Sequence, residues 1–317
     1  MPRRSFSLCL LVLLFNWKAG AQTGPDYYKV DAYVSGLHQQ VRSLYALDSV
    51  LAEADRIFKI PEERVRFAFR WVAANLEYDC REESGGSSPA SSLEDVLKNG
   101  KSTCSGYSGL MNYALKKLGF ESVAIRGVAK TAKRDLHWEK LPRPNHSWNA
   151  VRVNSTWKLL DATWASGEAS DNCDTVIRAF SPFYFFPEPR LLALSHFPMD
   201  SSWQLIDDPV DSLTFLQWPV FHDPFYEMLV TSFTPGTGTI RAKKNEGVRF
   251  RFSSGVPLEK IAVWSDDRKT VGAEFGKFNK VSGGYEYMYR IRESGDYFLN
   301  ISLDGKRTAL VYRIISE

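Results

Sequence analysis

The chain has 317 residues, of which 44% are hydrophobic and 24% charged, and its formal net charge is +3. The cations Arg3, Arg4 and Lys18 account for this excess, so the chain after residue 21 carries equal numbers of acidic and basic side chains. This balance excludes nucleic acid and anionic lipid as main partners, because neither would be attracted electrostatically. The length is sufficient for two domains with separate cores.

The N-terminus has the layout of a secretory signal peptide. Arg3 and Arg4 precede a short apolar run over 8–15, and small residues follow at 19–21. We expect cleavage after Ala21 and a secreted or periplasmic protein. The run is too short to cross a bilayer and no later stretch is long enough, so no integral membrane span is predicted. A retained N-terminal anchor is the alternative.

The first part of the exported chain reads as helical, because apolar residues recur at steps of three and four. This period predicts one helix over 31–57 and a second that begins near Pro61. A Ser/Gly-rich loop over 83–92 precedes a short helix over 93–98 that ends near Gly100.

The next helix begins close to Cys104 and ends at Gly119, and strands follow over 122–128 and from His146 onward. Helices thus precede strands, which favours an α+β fold with N-terminal helices packed on an antiparallel sheet. We assign residues 22–58 to an N-terminal helical segment and residues 59–215 to the core domain.

Residues 175–225 show no clean period and read as a long wrapping segment. From about residue 226, short strands alternate with Gly-containing turns, which predicts a C-terminal all-β sandwich of the immunoglobulin-like type over 216–317. The predicted strands cover 248–252, 261–264, 285–291, 297–303 and 309–314.

Three cysteines remain after export, namely Cys80, Cys104 and Cys173. An odd count in an oxidising compartment leaves one thiol unpaired. A disulfide between Cys80 and Cys173 would leave Cys104 free, and three free thiols are the open alternative.

Cys104 is a candidate nucleophile because it lies at the start of a predicted helix. Backbone N–H groups and the helix dipole at that position favour an anion, and therefore a thiolate. An ordinary buried cysteine is the alternative interpretation.

His146 and Asp161 flank a predicted hairpin whose turn is Asn154-Ser155. In that register Val153 faces Thr156, and Trp148 and Thr163 lie opposite Asp161 and His146, respectively. The four side chains then share one face, and His146 and Asp161 become diagonal neighbours about 7–8 Å apart. An aspartate there can orient the imidazole and stabilise its charged form.

Two further residues bear on this assignment. His137 is the second candidate for the base, because it lies in the stretch before the hairpin. Asn149 has the wrong parity for the face that carries His146 and is left out of the site.

These motifs resemble those of the transglutaminase-like superfamily. Lys-Ser-Thr-Cys104-Ser-Gly-Tyr is similar to its nucleophile motif, while Asn-His146-Ser-Trp-Asn-Ala-Val and Trp-Lys-Leu-Leu-Asp161-Ala-Thr-Trp are similar to its His and Asp motifs. Trp71, Tyr78-Asp79 and the stretch 196–205 also resemble the kyphoscoliosis peptidase-like branch. The likeness covers about residues 60–215.

The resemblance implies a papain-like core and acyl-enzyme chemistry on protein or peptide amides, without a metal or organic cofactor. Cys104 would be the nucleophile, His146 the base and Asp161 the orienting residue. Trp148 and Trp164 would line the substrate site by restricting water, with core packing as the alternative.

Three functions are compatible with these motifs. Water as the acceptor would give a peptidase or amidase, which we favour, and an amine acceptor would give a transglutaminase. The third is a catalytically silent binding protein whose β domain docks to a cell-envelope partner.

Overall fold

The computed structural model describes residues 25, 27–37, 41–80, 92–169, 175–266, 274–275 and 278–317. These residues belong to two compact units. The core unit comprises residues up to Thr131 together with Lys140–Phe215, and the β unit comprises Ala132–Glu139 together with Leu216–Glu317. The predicted signal peptide, Cys173 and nearly all of the predicted Ser/Gly loop lie outside the described residues.

The described residues form eight α-helices before the strands of the β unit. They are α1 (Tyr28–Ser35), α2 (Leu44–Ile57), α3 (Pro61–Asn75), α4 (Leu93–Asn99), α5 (Cys104–Lys117), α6 (Ala162–Ala165), α7 (Pro189–Ala193) and α8 (Ser212–Gln217). Among these, α3, α4 and α5 were predicted. The prediction of one helix over 31–57 is wrong. The first helix stops at Gly36, and a new one begins after Ser43, whose hydroxyl accepts a hydrogen bond from the Ala46 N–H at 3.2 Å.

Local chemistry explains the ends of the helices around Cys104. Pro61 occupies the first turn of α3, where its missing N–H costs nothing. Ser92 and Asp95 form a reciprocal capping box at the start of α4. Gly100 ends α4 with a φ of +65°, a conformation that glycine adopts without strain. The predicted positions of Pro61 and Gly100 are confirmed, and a short connection leads from Gly100 to Cys104.

The core unit contains a four-stranded antiparallel sheet of order β5-β4-β3-β8. The strands up to this point are β1 (Glu77–Tyr78), β2 (Lys101–Ser102), β3 (Ser122–Ala129), β4 (His146–Val153), β5 (Thr156–Leu160), β6 (Glu168–Ala169), β7 (Val176–Ile177) and β8 (His196–Pro198). The segment 175–225, which shows no period in the sequence, therefore contributes an edge strand to this sheet. Strand β1 pairs in parallel with β2, directly before Cys104.

Helices α3 and α5 and the inner residues of the sheet share one hydrophobic core. Its large, fully buried members include Phe67, Phe69, Trp71, Tyr107 and Trp148. Apolar burial of this extent is the main source of stability for the unit. It also fixes α5 against β4, the two elements that carry Cys104 and His146.

The β unit is built from two sheets, of order β10-β12-β16-β15 and β11-β18-β17-β13-β14, with β9 paired to β18. Its elements are β9 (Val220–Phe221), α9 (Asp223–Glu227), β10 (Val230–Thr234), β11 (Thr239–Ala242), β12 (Gly247–Ser254), β13 (Ala262–Ser265), β14 (Glu274–Phe275), β15 (Asn279–Val281), β16 (Gly284–Arg290), β17 (Gly295–Ser302) and β18 (Leu310–Ser316). The predicted all-β character is confirmed. The pairing of β11 with β18 is parallel, and an immunoglobulin-like topology stays a prediction.

Within the described ranges, no helix combines the length and the apolar character needed to cross a membrane.

Candidate active site

Asp161 lies at the junction of sheet and helix, directly after β5 and at the N-terminus of α6. Its side chain is 1% exposed and accepts four hydrogen bonds. Oδ1 accepts from the backbone N–H groups of Thr163 at 2.8 Å and Trp164 at 3.1 Å. Oδ2 lies 2.6 Å from His146 Nε2 and 3.1 Å from His196 Nε2. A buried carboxylate with this many donors is held in its ionised form.

The hairpin that brings His146 to Asp161 has the predicted register. Val153 pairs with Thr156, and the ladder continues to Asn149 opposite Leu160. The turn residues Asn154 and Ser155 have φ values of 48° and 65°, as a tight two-residue hairpin requires.

The register prediction is wrong beyond Leu160. Neither His146 with Thr163 nor Trp148 with Asp161 forms a pair, because the ladder ends at Leu160 and the chain then enters α6. Instead, His146 pairs across the sheet with Gly127 of β3. The contact between His146 and Asp161 survives because the chain turns into α6 only after Asp161.

Electrostatics stabilise the charged form of both partners. Burial by itself would lower the pKa of His146, but the charge and hydrogen bond of Asp161, together with Cys104, raise the pKa to about 10. Burial would raise the pKa of Asp161, yet His146 and the other donors hold it well below its usual range. His146 is therefore an imidazolium at neutral pH, paired with a carboxylate.

Cys104 is the first residue of α5, is partly exposed and is a free thiol. A side-chain hydrogen bond with Cys104 is among the interactions that raise the pKa of His146. Because Asp161 occupies Nε2 of the imidazole, Nδ1 is the ring nitrogen left for the thiol. The structure therefore brings Cys104, His146 and Asp161 together.

Two polar bridges hold α5 against β4. The hydroxyls of Ser108 and Ser147 lie 2.7 Å apart, and the side-chain amide of Asn149 donates to the Ser108 carbonyl at 3.0 Å. All three side chains are buried, so these bonds are shielded from water. Asn149 thus bonds to the helix that carries Cys104, and none of its described bonds involves Asp161. This agrees with the prediction that its side chain does not share a face with His146.

His196 is a member of the site that the sequence did not predict. It opens β8, where it pairs with Ala129, and His146 pairs with Gly127 on the other side of β3. Gly127 and Ala129 are two residues apart and share a face, so both histidines project to the same face. The His-Phe-Pro stretch was the available sequence feature, but no local pattern links it to Asp161.

The aromatic side chains predicted to bind substrate surround the two histidines. Trp148 is 1% exposed and stacks on His146 with ring centroids 5.9 Å apart, a position typical of core packing. A Cβ on Gly127 would lie 2.4 Å from the Trp148 ring, so only glycine fits there. Trp164 is partly exposed and lies 5.6 Å from His146 and 4.5 Å from His196. A substrate contact through Trp164 stays a prediction.

His137, the second candidate for the base, belongs to the β unit. It ends a 3₁₀ helix (Lys133–His137) and packs edge-on against Phe298 with ring centroids 5.5 Å apart. Neither Asp161 nor Cys104 is among its described contacts.

His146, Asp161 and His196 are also close enough together to be considered as metal ligands. However, direct hydrogen bonds from both imidazoles occupy the same carboxylate oxygen, Oδ2. These hydrogen bonds join the three side chains directly, which is the arrangement that orients His146 for proton transfer.

Cys80 is disulfide-bonded. Since Cys104 is free and Cys173 lies outside the described residues, the Cys80–Cys173 pairing stays a prediction. The alternative of three free thiols is wrong.

Comparison with known proteins matches residues 52–162 to the transglutaminase-like superfamily. Kyphoscoliosis peptidase of Homo sapiens is 29% identical over 217 residues, which are 68% of this chain and 32% of that protein. The Mus musculus protein of the same name is 31% identical over 180 residues, covering 56% and 27%. The chain spans about a third of the length of these relatives. A solved structure described as a TGase aligns with a TM-score of 0.30 and 17% identity over 43% of this chain and 36% of that chain, too weak a likeness to bear on the site.

The ionisation of the two histidines can be measured directly. We expect the His146 ring to remain protonated at about pH 8, because Asp161 raises its pKa, whereas His196 is neutral because burial lowers its pKa. In Asp161→Asn the counter-charge is lost, burial dominates, and the pKa of His146 falls below its ordinary value. Imidazole ¹⁵N shifts followed from about pH 5 to pH 10 report both states.

The raised pKa of His146 also determines how the free energy of unfolding depends on pH. A raised pKa means that the His146 contribution to the free energy of unfolding is complete below its ordinary pKa of about 6.5 and is lost as the pH rises toward about 10. Asp161→Asn should remove this pH dependence. A His146 midpoint near 6.5 in the unmodified protein would contradict the assignment.

Proposed function

The chain carries a domain of the transglutaminase-like superfamily, and we propose that it is an exported cysteine peptidase that cleaves protein or peptide amide bonds through Cys104, His146 and Asp161. The observation that carries the proposal is the buried His146–Asp161 pair, with a free cysteine at a helix N-terminus acting on the same imidazole. Because the chain spans about a third of its relatives, their whole activity is not transferred to it.

The proposed reaction begins from a thiolate on Cys104 and an imidazolium on His146. Thiolate sulfur attacks the amide carbonyl, and the backbone N–H of Cys104 at the start of α5 donates to the developing oxyanion. As the C–N bond breaks, His146 gives its proton to the leaving amine, and a thioester remains. His146, now neutral, takes a proton from water, whose oxygen attacks the thioester. The C–S bond then breaks, which releases a carboxylic acid and restores the Cys104 thiolate and the His146 imidazolium.

Asp161 would act only on His146 in this scheme. Its carboxylate fixes the Nε2–H tautomer, so that Nδ1 is the nitrogen that exchanges a proton with sulfur and substrate. It also stabilises the positive charge that His146 carries in the free enzyme and regains when the thioester is hydrolysed.

Hydrolysis is favoured over amine transfer because the human and mouse relatives are named as peptidases. Transfer of the acyl group to an amine is the second candidate, since the thioester could be resolved by either acceptor. A silent scaffold that retains the three residues is the third.

Export is supported by two features. The first 21 residues have the signal-peptide pattern, and Cys80 is disulfide-bonded, a modification typical of oxidising compartments. We therefore place the protein in the periplasm or outside the cell. There the β unit, proposed as an immunoglobulin-like domain, would contact a cell-envelope partner.

Alkylation with iodoacetamide tests the nucleophile without a substrate. At about pH 6, Cys104 should be labelled at least about tenfold faster than a cysteine in an unstructured peptide, because the neighbouring His146 imidazolium stabilises negative charge on the attacking sulfur. His146→Ala should abolish the advantage by removing the imidazolium. Mass spectrometry of the labelled tryptic peptide gives the rate.

Cys104→Ala is the blank for this measurement, since Cys80 is already oxidised. Labelling of the intact protein at the rate of the peptide, or an equal rate in His146→Ala, would remove the basis of the proposed mechanism. A circular dichroism spectrum of each variant controls for unfolding.

The acceptor can be identified with casein as a general protein probe in H₂¹⁸O that also contains dansylcadaverine. We expect new carboxyl termini that carry ¹⁸O, because water resolves the thioester. Dansyl incorporation at glutamine without cleavage would indicate the transferase instead. Fast Cys104 labelling with neither product would favour the scaffold, and Cys104→Ala should yield neither.

Sequencing of the mature N-terminus tests export. Expression of the full chain in a bacterium with both compartments should yield a periplasmic form that begins at Gln22, because the small residues at 19–21 fit a signal-peptidase site. Recovery from the cytoplasm with an intact Met1 would contradict the localisation and leave the catalytic proposal unaffected.

A further inference from the structure

We propose that His196 is a positioning residue of the active site, which fixes the Asp161 carboxylate so that its oxygen faces His146. This inference rests on the proposed function, because it assigns His196 a role in orienting the same triad. His196 would act through Asp161 and would not contact the substrate.

The carboxylate of Asp161 is fixed at both oxygens. Oδ1 is held by the backbone N–H groups of Thr163 and Trp164. Without His196, however, His146 would be the only described side chain bonded to Oδ2. The Oδ2 atom and the His146 ring could then change position together. His196 Nε2, at 3.1 Å from Oδ2, adds a donor from a different strand. The position of His146 is then set by the sheet through β4 and independently through β8.

The bond pattern around His196 fixes its tautomer. Nε2 faces Asp161, which can only accept, so Nε2 carries the proton. Nδ1 lies 2.8 Å from the Ser195 hydroxyl, which therefore donates to it. The resulting chain of donors runs from Ser195 to His196 to Asp161. Each of the three side chains is at least 98% buried, so the geometry is protected from water.

Of the two imidazoles bonded to Asp161, only His146 carries a positive charge. The charged and titratable groups that face His196 are Asp161, His146 and, at a ring distance of 6.4 Å, Tyr184. Burial lowers the pKa of His196 in spite of Asp161, and the nearby His146 charge lowers it further. At neutral pH, His196 thus donates a hydrogen bond to Asp161 as a neutral ring, while His146 holds the positive charge.

Packing is the competing explanation, since His196 lies 5.1 Å from Trp148 and 4.5 Å from Trp164 between ring centroids. The two explanations predict opposite orders for a pair of substitutions. His196→Phe keeps an aromatic ring and removes the donor, whereas His196→Gln keeps an N–H donor and removes the ring. A packing role makes Phe the better replacement, and a positioning role makes Gln the better one for Cys104 reactivity.

The experiment measures iodoacetamide labelling of Cys104 in the full chain, together with the thermal midpoint of each variant. H196F should label about tenfold more slowly than the unmodified protein at neutral pH, the factor expected when one hydrogen bond to a charged group is lost. H196Q should stay within about threefold, because the amide keeps a donor. The thermal midpoint of H196F should equal or exceed that of H196Q, so that reactivity and stability run in opposite orders.

The pH profile adds a readout that packing alone would not move. Loss of a donor to Asp161 changes how the carboxylate holds the His146 charge, so the ¹⁵N titration midpoint of His146 should move in H196F and not in H196Q. Should H196F fail to fold, Ser195→Ala replaces it. That variant keeps both rings and removes the Ser195 hydrogen bond that holds the His196 ring at Nδ1, and it should also label more slowly.

Equal labelling rates in H196F and H196Q, or a faster rate in H196F, would overturn the positioning role, as would an unchanged rate in Ser195→Ala where that variant is used. A separate result addresses the triad itself. If the unmodified protein labels no faster than His146→Ala, the proposed function fails, whatever the His196 variants do.

Discussion

The site depends on one buried carboxylate. Asp161 ends β5, caps α6 and accepts hydrogen bonds from two histidines, so strand, helix and sheet all converge on its two oxygens. Leaving such a charge unpaired in the interior would be very unfavourable, which means that the donors must be present in every folded molecule. The four donors come from the start of α6 and from strands β4 and β8, so the carboxylate ties these three elements together.

The sheet supplies the two histidines through a central strand with small side chains. Strand β3 lies between β4 and β8, and Gly127 and Ala129 stand opposite His146 and His196. Gly127 leaves room for the Trp148 ring and for the backbone of β8, since a Cβ there would lie 2.4 Å from the ring and 2.3 Å from the Phe197 carbonyl oxygen. The sequence of β3 is therefore part of the site although none of its side chains takes part in the chemistry.

The sequence was informative where the determining contacts are local. Two-residue hairpins have few allowed registers, so Asn154-Ser155 was sufficient to place His146 beside Asp161. The capped helix that ends at Gly100 and the helix that starts at Cys104 were predictable for the same reason. The continuous apolar period over 31–57 was misleading, because Gly36 and the Ser43 cap interrupt the helix without disturbing the spacing of its apolar residues.

The sequence did not predict His196 as a residue of the site, and the reason is physical. It lies 35 residues after Asp161 and beyond the segment 52–162 that matches the superfamily, and it reaches the site only because β8 adds to the edge of β3. No turn or period within 175–225 encodes that pairing. No turn or period near His196 in the sequence distinguishes it from a surface histidine. His146, by contrast, was identified by the hairpin that follows it.

The two histidines also differ in charge. The difference follows from the group that lies beside the ring nitrogen not bonded to Asp161. His146 has the Cys104 thiol beside it, a group that can become an anion, so a positive ring is stabilised from both sides. His196 has the Ser195 hydroxyl at its other nitrogen, which can donate a proton but does not become an anion near neutral pH. Burial and the neighbouring positive charge of His146 both lower the pKa of His196. The imidazolium that proton transfer requires is therefore confined to the ring nearest the nucleophile.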